Sequence, residues 1–453
     1  MSQAMYQALM FPELKMLLEE NDVAGMAEFC EVLHPAVTAE ILEKLDASDA
    51  WKVLKTSKLE RQVEILEYMT LPGQVDLVNQ IDRKRLTRLL EEMSPDDRVD
   101  LLSRMHPDKV ENLLPSIAQV ERNDIRKLLS FPEHSAGAIM TTEYASLPED
   151  ITVREALDRL RVQAPDRETI YYVFILDEGR RLRGLISLRG LILAKPTAKL
   201  ADIMHKDVIS VRVTDDQEQV AHELARYDFL AIPVVDNQNQ LVGIVTHDDV
   251  LDVVREEATE DAHRMGGMQP LEDSYLTTPI LTLTWKRGVW LVVLLGAALG
   301  TAAVLSQYEH VSATQSWMIL FFPLVLASGG NAGSQSATLI IRTLALGEMG
   351  KRQALRIAMR ELGLASLLGL GLAAIAFTFS LLFASENPVE RASIVSATVF
   401  LVVVMGAVTG AMLPLGFKRL GMDPALMSNP LIAAIVDVLG VVIYYQVALL
   451  LLS

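Results

Sequence analysis

The sequence predicts a multi-domain protein: an all-α, superhelical domain at the N-terminus, a tandem α/β module, and an α-helical membrane domain of five transmembrane helices. Three observations predict it. A short apolar–polar signature recurs along residues 1–133, a strand-and-helix pattern occurs twice between residues 136 and 257, and five long apolar stretches follow residue 280. Charge divides the chain in the same place. From Ile280 onward there are ten Lys/Arg and seven Asp/Glu, which leaves 31 basic and 51 acidic residues in the preceding 279. A soluble half carrying about −20 repels nucleic acid and attracts divalent cations, although an acidic surface can also serve solubility alone. One cysteine, Cys30, excludes an intramolecular disulfide and any cysteine-rich zinc site. Residues 1–11 lack the basic region and long apolar core of a cleaved signal, so the large soluble half is expected in the cytoplasm.

The first domain reads as short helices with apolar residues three and four apart, as in Ile41, Leu42 and Leu45. An apolar residue followed by a helix-starting polar one recurs at Leu45-Asp46, Met69-Thr70, Ile81-Asp82, Met93-Ser94 and Met105-His106, at separations of 24, 12, 12 and 12. Ser94 before Pro95 is expected to cap free amides at a helix start. A right-angled or superhelical stack follows. Such stacks often bind proteins, yet Asp96 and Asp100, one helical turn apart, form a carboxylate pair available for bridging.

Two copies of one pattern occupy 136–199 and 200–257. Ile139-Met140 returns as Ile203-Met204, and Val173 to Asp177 returns as Ile232 to Asp236. Leu182 to Ser187 returns as Leu241 to Thr246, each with a glycine at its third position. This tandem resembles a pair of CBS domains, and the resemblance implies a pseudo-symmetric β-α-β-β-α pair that binds ATP or another adenine nucleotide. In the second copy Gly243, Thr246 and Asp249 match the module's ribose and phosphate signature. In the first, Ser187 is present but Gly190 stands where the aspartate belongs, so one nucleotide site is expected at Ser187, Thr246 and Asp249. A structural module without ligand is the alternative.

Residues 247–279 form an acidic connecting helix and a linker. Asp249, Asp252, Glu256 and Glu260 share one helical face, and like charges at that spacing destabilise a helix unless something neutralises them. A hard cation such as Mg²⁺, which takes carboxylate oxygens and retained waters, would do so.

The spans are expected at Gly288–Ser306, Trp317–Ile341, Leu362–Phe383, Ser393–Phe417 and within Ala425–Ser453, each near the ~20 residues that cross a bilayer. Lys286 and Arg287, then Arg342, Lys351, Arg352, Arg356 and Arg360, then Lys418 and Arg419 fall in alternate loops. The loops at Glu309-His310 and at Glu386, Asn387 and Glu390 are poor in basic residues. The alternation places the N-terminus in the cytoplasm and the C-terminus outside a plasma membrane. Asp437 is the only ionisable side chain between Ala425 and Ser453, and a carboxylate inside hydrocarbon marks an ion path, a proton relay or a bound cation. The second span contains the small, polar run Ser328 to Ser336, whose backbone can break or approach a neighbour closely and whose Asn331 amide is available to water or an ion; close helix packing alone is the alternative.

Gly330 to Thr338 with Arg342, Asp423-Pro424-Ala425, Pro430 through Asp437 to Tyr444, and Glu256 to Asp261 together resemble the bacterial MgtE family of Mg²⁺ channels over essentially the full length. The resemblance implies a homodimer in the bilayer with two Asp437 side chains facing one pore, and a connecting helix that plugs the pore when cytosolic carboxylates bind Mg²⁺. It assigns that regulatory role to Asp96 and Asp100, to Asp216, Glu218 and Asp228, and to Asp249, Asp252, Glu257, Glu260 and Asp261. Ala433 and Ala434 replace hydroxyl residues common in the family, so Asn331, Asn429 and backbone carbonyls are expected to complete the pore site around Asp437. Ion chemistry leaves Co²⁺ or Mn²⁺ as other cargoes. A membrane-anchored nucleotide sensor leaves Asp437 unexplained. An enzyme is not expected, since the chain has no phosphate-binding glycine loop with its lysine and no His/Cys cluster.

Overall fold

The computed structural model describes residues 3–271, 275–276, 278–345, 354–383 and 387–452. Lys351, Arg352 and Glu386 lie outside them. The chain forms two compact units, 1–254 and 255–453.

The first unit opens with a stack of short helices: α1 (Gln3–Glu19), α2 (Val23–Val32), α3 (Pro35–Leu42), α4 (Ala47–Leu54) and α5 (Leu59–Glu67). It continues through α6 (Leu71–Val78), α7 (Arg83–Glu92), α8 (Pro95–Arg104), α9 (Pro107–Leu113) and α10 (Gln119–Leu128). The recurrent signature marks helix starts, since Asp46, Thr70, Asp82, Ser94 and His106 are the N-caps of α4, α6, α7, α8 and α9. Helices pack on their second neighbours, α2 on α4, α3 on α5 and so on to α6 on α8, burying one continuous apolar core. A two-helix period of 24 residues also governs the polar ties. Glu43, Glu67 and Glu91 each accept the backbone N–H of a residue 27 positions on, Thr70, Ser94 and Ala118. The unpaired first amides of one helix are thus satisfied from the repeat before it.

The tandem module contains two three-stranded sheets. β1 (Tyr144–Pro148) lies parallel to β2 (Thr169–Leu176), which pairs antiparallel with β3 (Leu182–Ser187). β4 (Val211–Arg212), β5 (Ala231–Val235) and β6 (Leu241–Thr246) repeat that order. Helices α11 (Val153–Gln163), α12 (Leu188–Leu193), α13 (Leu200–Ile203) and α14 (Gln217–Arg226) flank them. The repeated glycines mark the pseudo-two-fold seam. A Cβ at Gly184 would strike Met204 and the His205 carbonyl, and one at Gly243 would strike Met140 and the Thr141 carbonyl.

A long helix, α15 (His247–Met265), leaves β6 directly. In the second unit follow α16 (Ile280–Ser306), the short α17 (Glu309–Thr314), α18 (Met318–Ala345), α19 (Ala354–Phe383), α20 (Pro388–Arg419) and α21 (Asn429–Leu452). Among the described residues α16, α19, α20 and α21 are long and apolar enough to cross a membrane. The polar run makes α18 less apolar, though at 28 residues it is as long as the others. That run does not break the helix. Its small residues instead set a close crossing: a Cβ on Gly406 would collide with the Gly329 carbonyl, and one on Gly410 with the Gly333 carbonyl. Two Gly-x-x-x-Gly faces thereby meet, as in close membrane helix pairs. With α18 continuous, its backbone carbonyls are committed to the helix, leaving side chains to meet an ion.

Candidate functional site

Three acidic features stand out, one in the first unit and two in the second, and their surroundings differ. In the first unit Asp96, in the first turn of α8, is buried, and its Oδ1 has no hydrogen-bond partner. Burial raises its carboxyl pKa well above the ordinary range, and Asp249, Asp97 and Glu168 raise it further. Asp97 is pushed up to about 7 by burial and then by Glu67, while Glu168 reaches about 7 by burial and then by Asp249 and Asp248. Asp249 is also raised, chiefly by burial, although the Thr246 hydroxyl donates to its Oδ2 and partly offsets this. A buried acceptor without a donor, surrounded by like charge, is costly and is relieved by a proton or a cation. No three His, Cys, Asp or Glu converge as a ready-made chelate among the described residues. A hydrated Mg²⁺, which keeps several waters and needs few direct carboxylates, fits that donor set better than a stripped ion.

The sequence brought only part of this group to notice. Asp96 is near enough to Asp249 for their charges to interact, whereas Asp100, one turn along α8, is exposed and acts on Asp97. Ser94 gives no capping bond to the backbone, and its hydroxyl donates to Asp97 Oδ2 at 2.9 Å. Asp216 caps α14, accepting the Glu218 N–H at 2.9 Å, and Glu218 is exposed beside it. Asp228 is exposed at φ 53, a left-handed turn position. Asp252 is exposed on α15. Asp97, Glu67 and Glu168 carried no sequence signal, because their charges are brought near one another from separate elements.

The tandem module holds a cleft of about 320 Å³ lined by Tyr172, Ser187, His205, Asp207, Phe229 and neighbouring apolar residues. The Tyr172 and Phe229 rings meet edge to face at 6.5 Å. Ser187 lies here as expected and caps α12 by accepting the Gly190 N–H at 3.1 Å. Thr246 donates to Asp249, whose charge also acts on Asp96; neither lines this cleft.

In the second unit Asp437 is half-buried on α21 and has no ion pair or hydrogen bond among the described residues. Its Oδ1 lies 3.8 Å from where a Gly330 Cβ would sit, so the absence of a side chain there leaves room beside the carboxylate. Asn331 is the next residue on α18 and is exposed in the single chain. Ala433 Cβ lies 3.4 Å from where the same Gly330 Cβ would sit, so Ala433 and the missing Gly330 side chain share one small-residue contact beside Asp437. Asn429 faces α18: its backbone carbonyl accepts from Ser334 Oγ at 3.3 Å, and its Oδ1 lies 3.3 Å from Thr338 Oγ1, whose hydroxyl also donates to the Ser334 carbonyl at 2.9 Å. It ties the start of α21 to α18.

The second unit carries a further acidic group, on the C-terminal part of α15. Arg264 bridges Glu260 and Asp423, while Asp423 Oδ1 accepts the Ala425 N–H at 2.8 Å. Burial raises the pKa of Asp261, Glu257 adds to this, and Arg264 opposes it. Met265 packs with Ala425, Met427 and Ile432, so the end of α15 is seated against the loop that enters α21.

Residues 322–447 match the divalent cation transporter domain of MgtE proteins, 33–134 match the MgtE intracellular N domain, and 136–196 and 200–256 match CBS domains. The chain is 38% identical to the magnesium transporter MgtE of Thermus thermophilus, covering 97% of this chain and 98% of the relative. The chain belongs to the MgtE family of magnesium transporters. A Bacillus subtilis MgtE is 31% identical over 95% of both chains. The crystal structure of the cytosolic domain of the Mg²⁺ channel MgtE in complex with ATP, 38% identical, superposes with a TM-score of 0.52 and covers 54% of this chain and 99% of its own. The soluble part of a magnesium transporter, 34% identical, gives 0.53 with 56% and 99% coverage. The MgtE assignment thus covers both units, and the two CBS matches fall on the two sheets.

Proposed function

We propose that this chain carries Mg²⁺ into the cell across the plasma membrane through a path lined by Asp437 from each of two copies, with five helices, α16 and α18 to α21, crossing the bilayer. The observation that carries this reading is the solitary Asp437, a carboxylate without a protein counter-charge in a membrane helix, placed beside Gly330 and Asn331. A carboxylate in hydrocarbon costs a few kcal/mol or more, and a passing cation offsets that cost. Mg²⁺ gives up its octahedral water shell reluctantly, so paired carboxylates hold the hydrated ion by hydrogen bonds and select it by size and charge. Asn331 contributes a further side-chain ligand to those waters, whereas Asn429 acts by fastening α21 to α18. The N-terminus is cytoplasmic and the C-terminus extracytoplasmic in this reading.

Cytosolic Mg²⁺ closes the path by binding the carboxylates of the first unit and of α15. Its first effect falls on Asp96, Asp97, Glu168 and Asp249, where repulsion is greatest. Asp100, Asp216, Glu218, Asp228 and Asp252 contribute as exposed carboxylates, and Glu257, Glu260 and Asp261 act next to the α21 entry. The cleft at Tyr172, Ser187 and Phe229 takes an adenine nucleotide, its aromatic pair packing on the base; a relative's cytosolic domain has been crystallised with ATP. Thr246 and Asp249 serve the cation group in this reading.

Mg²⁺ uptake into liposomes holding the purified full chain, with Asp437→Asn and Asp437→Ala beside the parent, tests the core claim. Parental uptake by both variants would refute it, and uptake of Co²⁺ or Mn²⁺ in preference to Mg²⁺ would reassign the cargo.

A further inference from the structure

Glu361 is a buried carboxylate that this reading of the ion path does not use. It is 8% exposed and is the eighth residue of α19. The buried face of α19 is otherwise built of small residues at near-helical spacing, Ala365, Gly369, Ala373, Ala376 and Ser380. Gly369 fits so closely against Phe400 of α20 that a Cβ would stand 3.1 Å from its ring and 3.3 Å from its carbonyl oxygen. That seam draws α19 onto α20. Glu361, the one long polar side chain on it, reaches α18, where Ser336 Oγ donates to its Oε2 at 2.7 Å. Ser336 is itself buried.

We infer that Glu361 is a positioning residue for ion selection, acting through Ser336 to fix the rotation of α18. Ser336 lies five residues from Asn331 on the same unbroken helix and three from Gly333, whose absent side chain admits the Gly406 carbonyl and Ile432. An unbroken helix turns as a body. A rotation of about 20° carries a side-chain tip some 5 Å from the axis through about 2 Å, far outside the ~0.5 Å to which a binding site must be held. The Gly329–Gly406 and Gly333–Gly410 contacts set how near α18 comes to α20, but facing glycines have no side chains with which to oppose rotation. A short hydrogen bond to a buried carboxylate does oppose it. The inference rests on the reading that Asp437 and Asn331 line the ion path.

The test is the Mg²⁺:Co²⁺ uptake ratio in liposomes, measured for full-length parent, Glu361→Gln, Glu361→Ala, Ser336→Ala, the Ser336→Ala/Glu361→Ala double variant and Asp437→Asn. Glu361→Gln retains an acceptor and should stay near the parental ratio. Glu361→Ala and Ser336→Ala should each shift the ratio by about threefold or more, and the double variant should shift it no further, because the two act as one unit. Ser336→Ala and Glu361→Gln are small changes that carry the test if Glu361→Ala does not fold. An unchanged ratio in the alanine variants, or shifts that multiply in the double variant, overturns the inference. If Asp437→Asn takes up Mg²⁺ at the parental rate, the path reading falls and takes this inference with it; if Asp437→Asn is inactive while the ratio stays unmoved, only the role of Glu361 falls.

Discussion

The carboxylates of the two units answer opposite physical problems. In the first unit the buried Asp96, the half-buried Asp97 and Asp249 and the exposed Glu168 interact through their charges, and each has a raised pKa. In the second, Asp437 stands alone beside a glycine, with no charged or hydrogen-bonded partner among the described residues. Crowded charge stores repulsion that any proton or cation releases, so its natural output is a change in how firmly the surrounding elements hold together. A solitary charge in a membrane helix has no protein structure to release. Its output is the affinity of a place for an ion. The difference separates a switch from a path.

The largest expected effect falls on the path. Asp437→Ala should reduce Mg²⁺ uptake by about 100-fold or more, because losing the charge removes several kcal/mol of attraction in a weakly screened site. Asp437→Asn should do nearly the same, which liposome uptake reads directly. In both variants the response of thermal stability to Mg²⁺ should persist, since the crowded group is untouched.

Acid should divide the two conditions of the switch. Asp97 and Glu168 titrate near 7 in the fold and near 4 unfolded, so without Mg²⁺ the native state takes up protons between those values. Stability without Mg²⁺ should therefore rise as pH falls from about 8 to about 5, with no further gain below about 4 from these groups. With saturating Mg²⁺ the sign reverses, because the bound ion favours ionised ligands and acid expels it. Thermal melts of the full chain at several pH values, with and without Mg²⁺, measure both slopes; parallel slopes would contradict the crowded group as a cation site. Asp96→Asn sharpens the same point. Replacing a buried, unpartnered acid whose ionisation burial opposes should stabilise the Mg²⁺-free protein at high pH and shrink the Mg²⁺-induced rise in Tm.

How much of this could be read beforehand follows from the range of each interaction. The recurrent signature marked five helix starts because capping is decided within three or four residues, and the duplicated glycines marked the seam of the tandem module because close approach tolerates nothing larger there. Asp437 was legible because a charge in an apolar run is conspicuous. Glu361 was not, since beside Arg360 it read as the edge of a loop, yet α19 begins at Ala354 and takes it inside. Ser94 was read as a capping residue, but a neighbouring carboxylate competes for its hydroxyl. Thr246 and Asp249 matched a nucleotide signature, while the fold sets burial and Asp96 around Asp249. Local chemistry was visible; neighbours brought together by the fold were not.

A milder prediction concerns carboxylates that do have a counter-charge. Arg264 bridges Glu260 and Asp423, so this part of α15 is held by a permanent cation in the chain itself. Arg264→Ala should cost about 1 to 2 kcal/mol, discounted for the partial exposure of the three side chains, and should raise residual uptake at high cytosolic Mg²⁺. Uptake from liposomes loaded with Mg²⁺ on the cytosolic face reads the second effect. Unchanged closure would mean that the apolar seat of Met265 among Ala425, Met427 and Ile432 suffices.

The smallest effect should come from Thr338→Val, which keeps the side chain's shape and removes a hydroxyl whose one proton is shared between the Ser334 carbonyl at 2.9 Å and Asn429 Oδ1 at 3.3 Å. The lost bond is worth about 1 kcal/mol. Asn429 Oδ1 would then be free to turn, yet its carbonyl still accepts from Ser334, so α21 should stay fastened to α18. Uptake should remain within about twofold of the parent while Tm falls slightly, the reverse of the Asp437→Asn pattern. A polar residue near the path that mainly holds helices together is thereby distinguished from one that meets the ion, and a large loss of uptake in Thr338→Val would move Asn429 from the first class to the second.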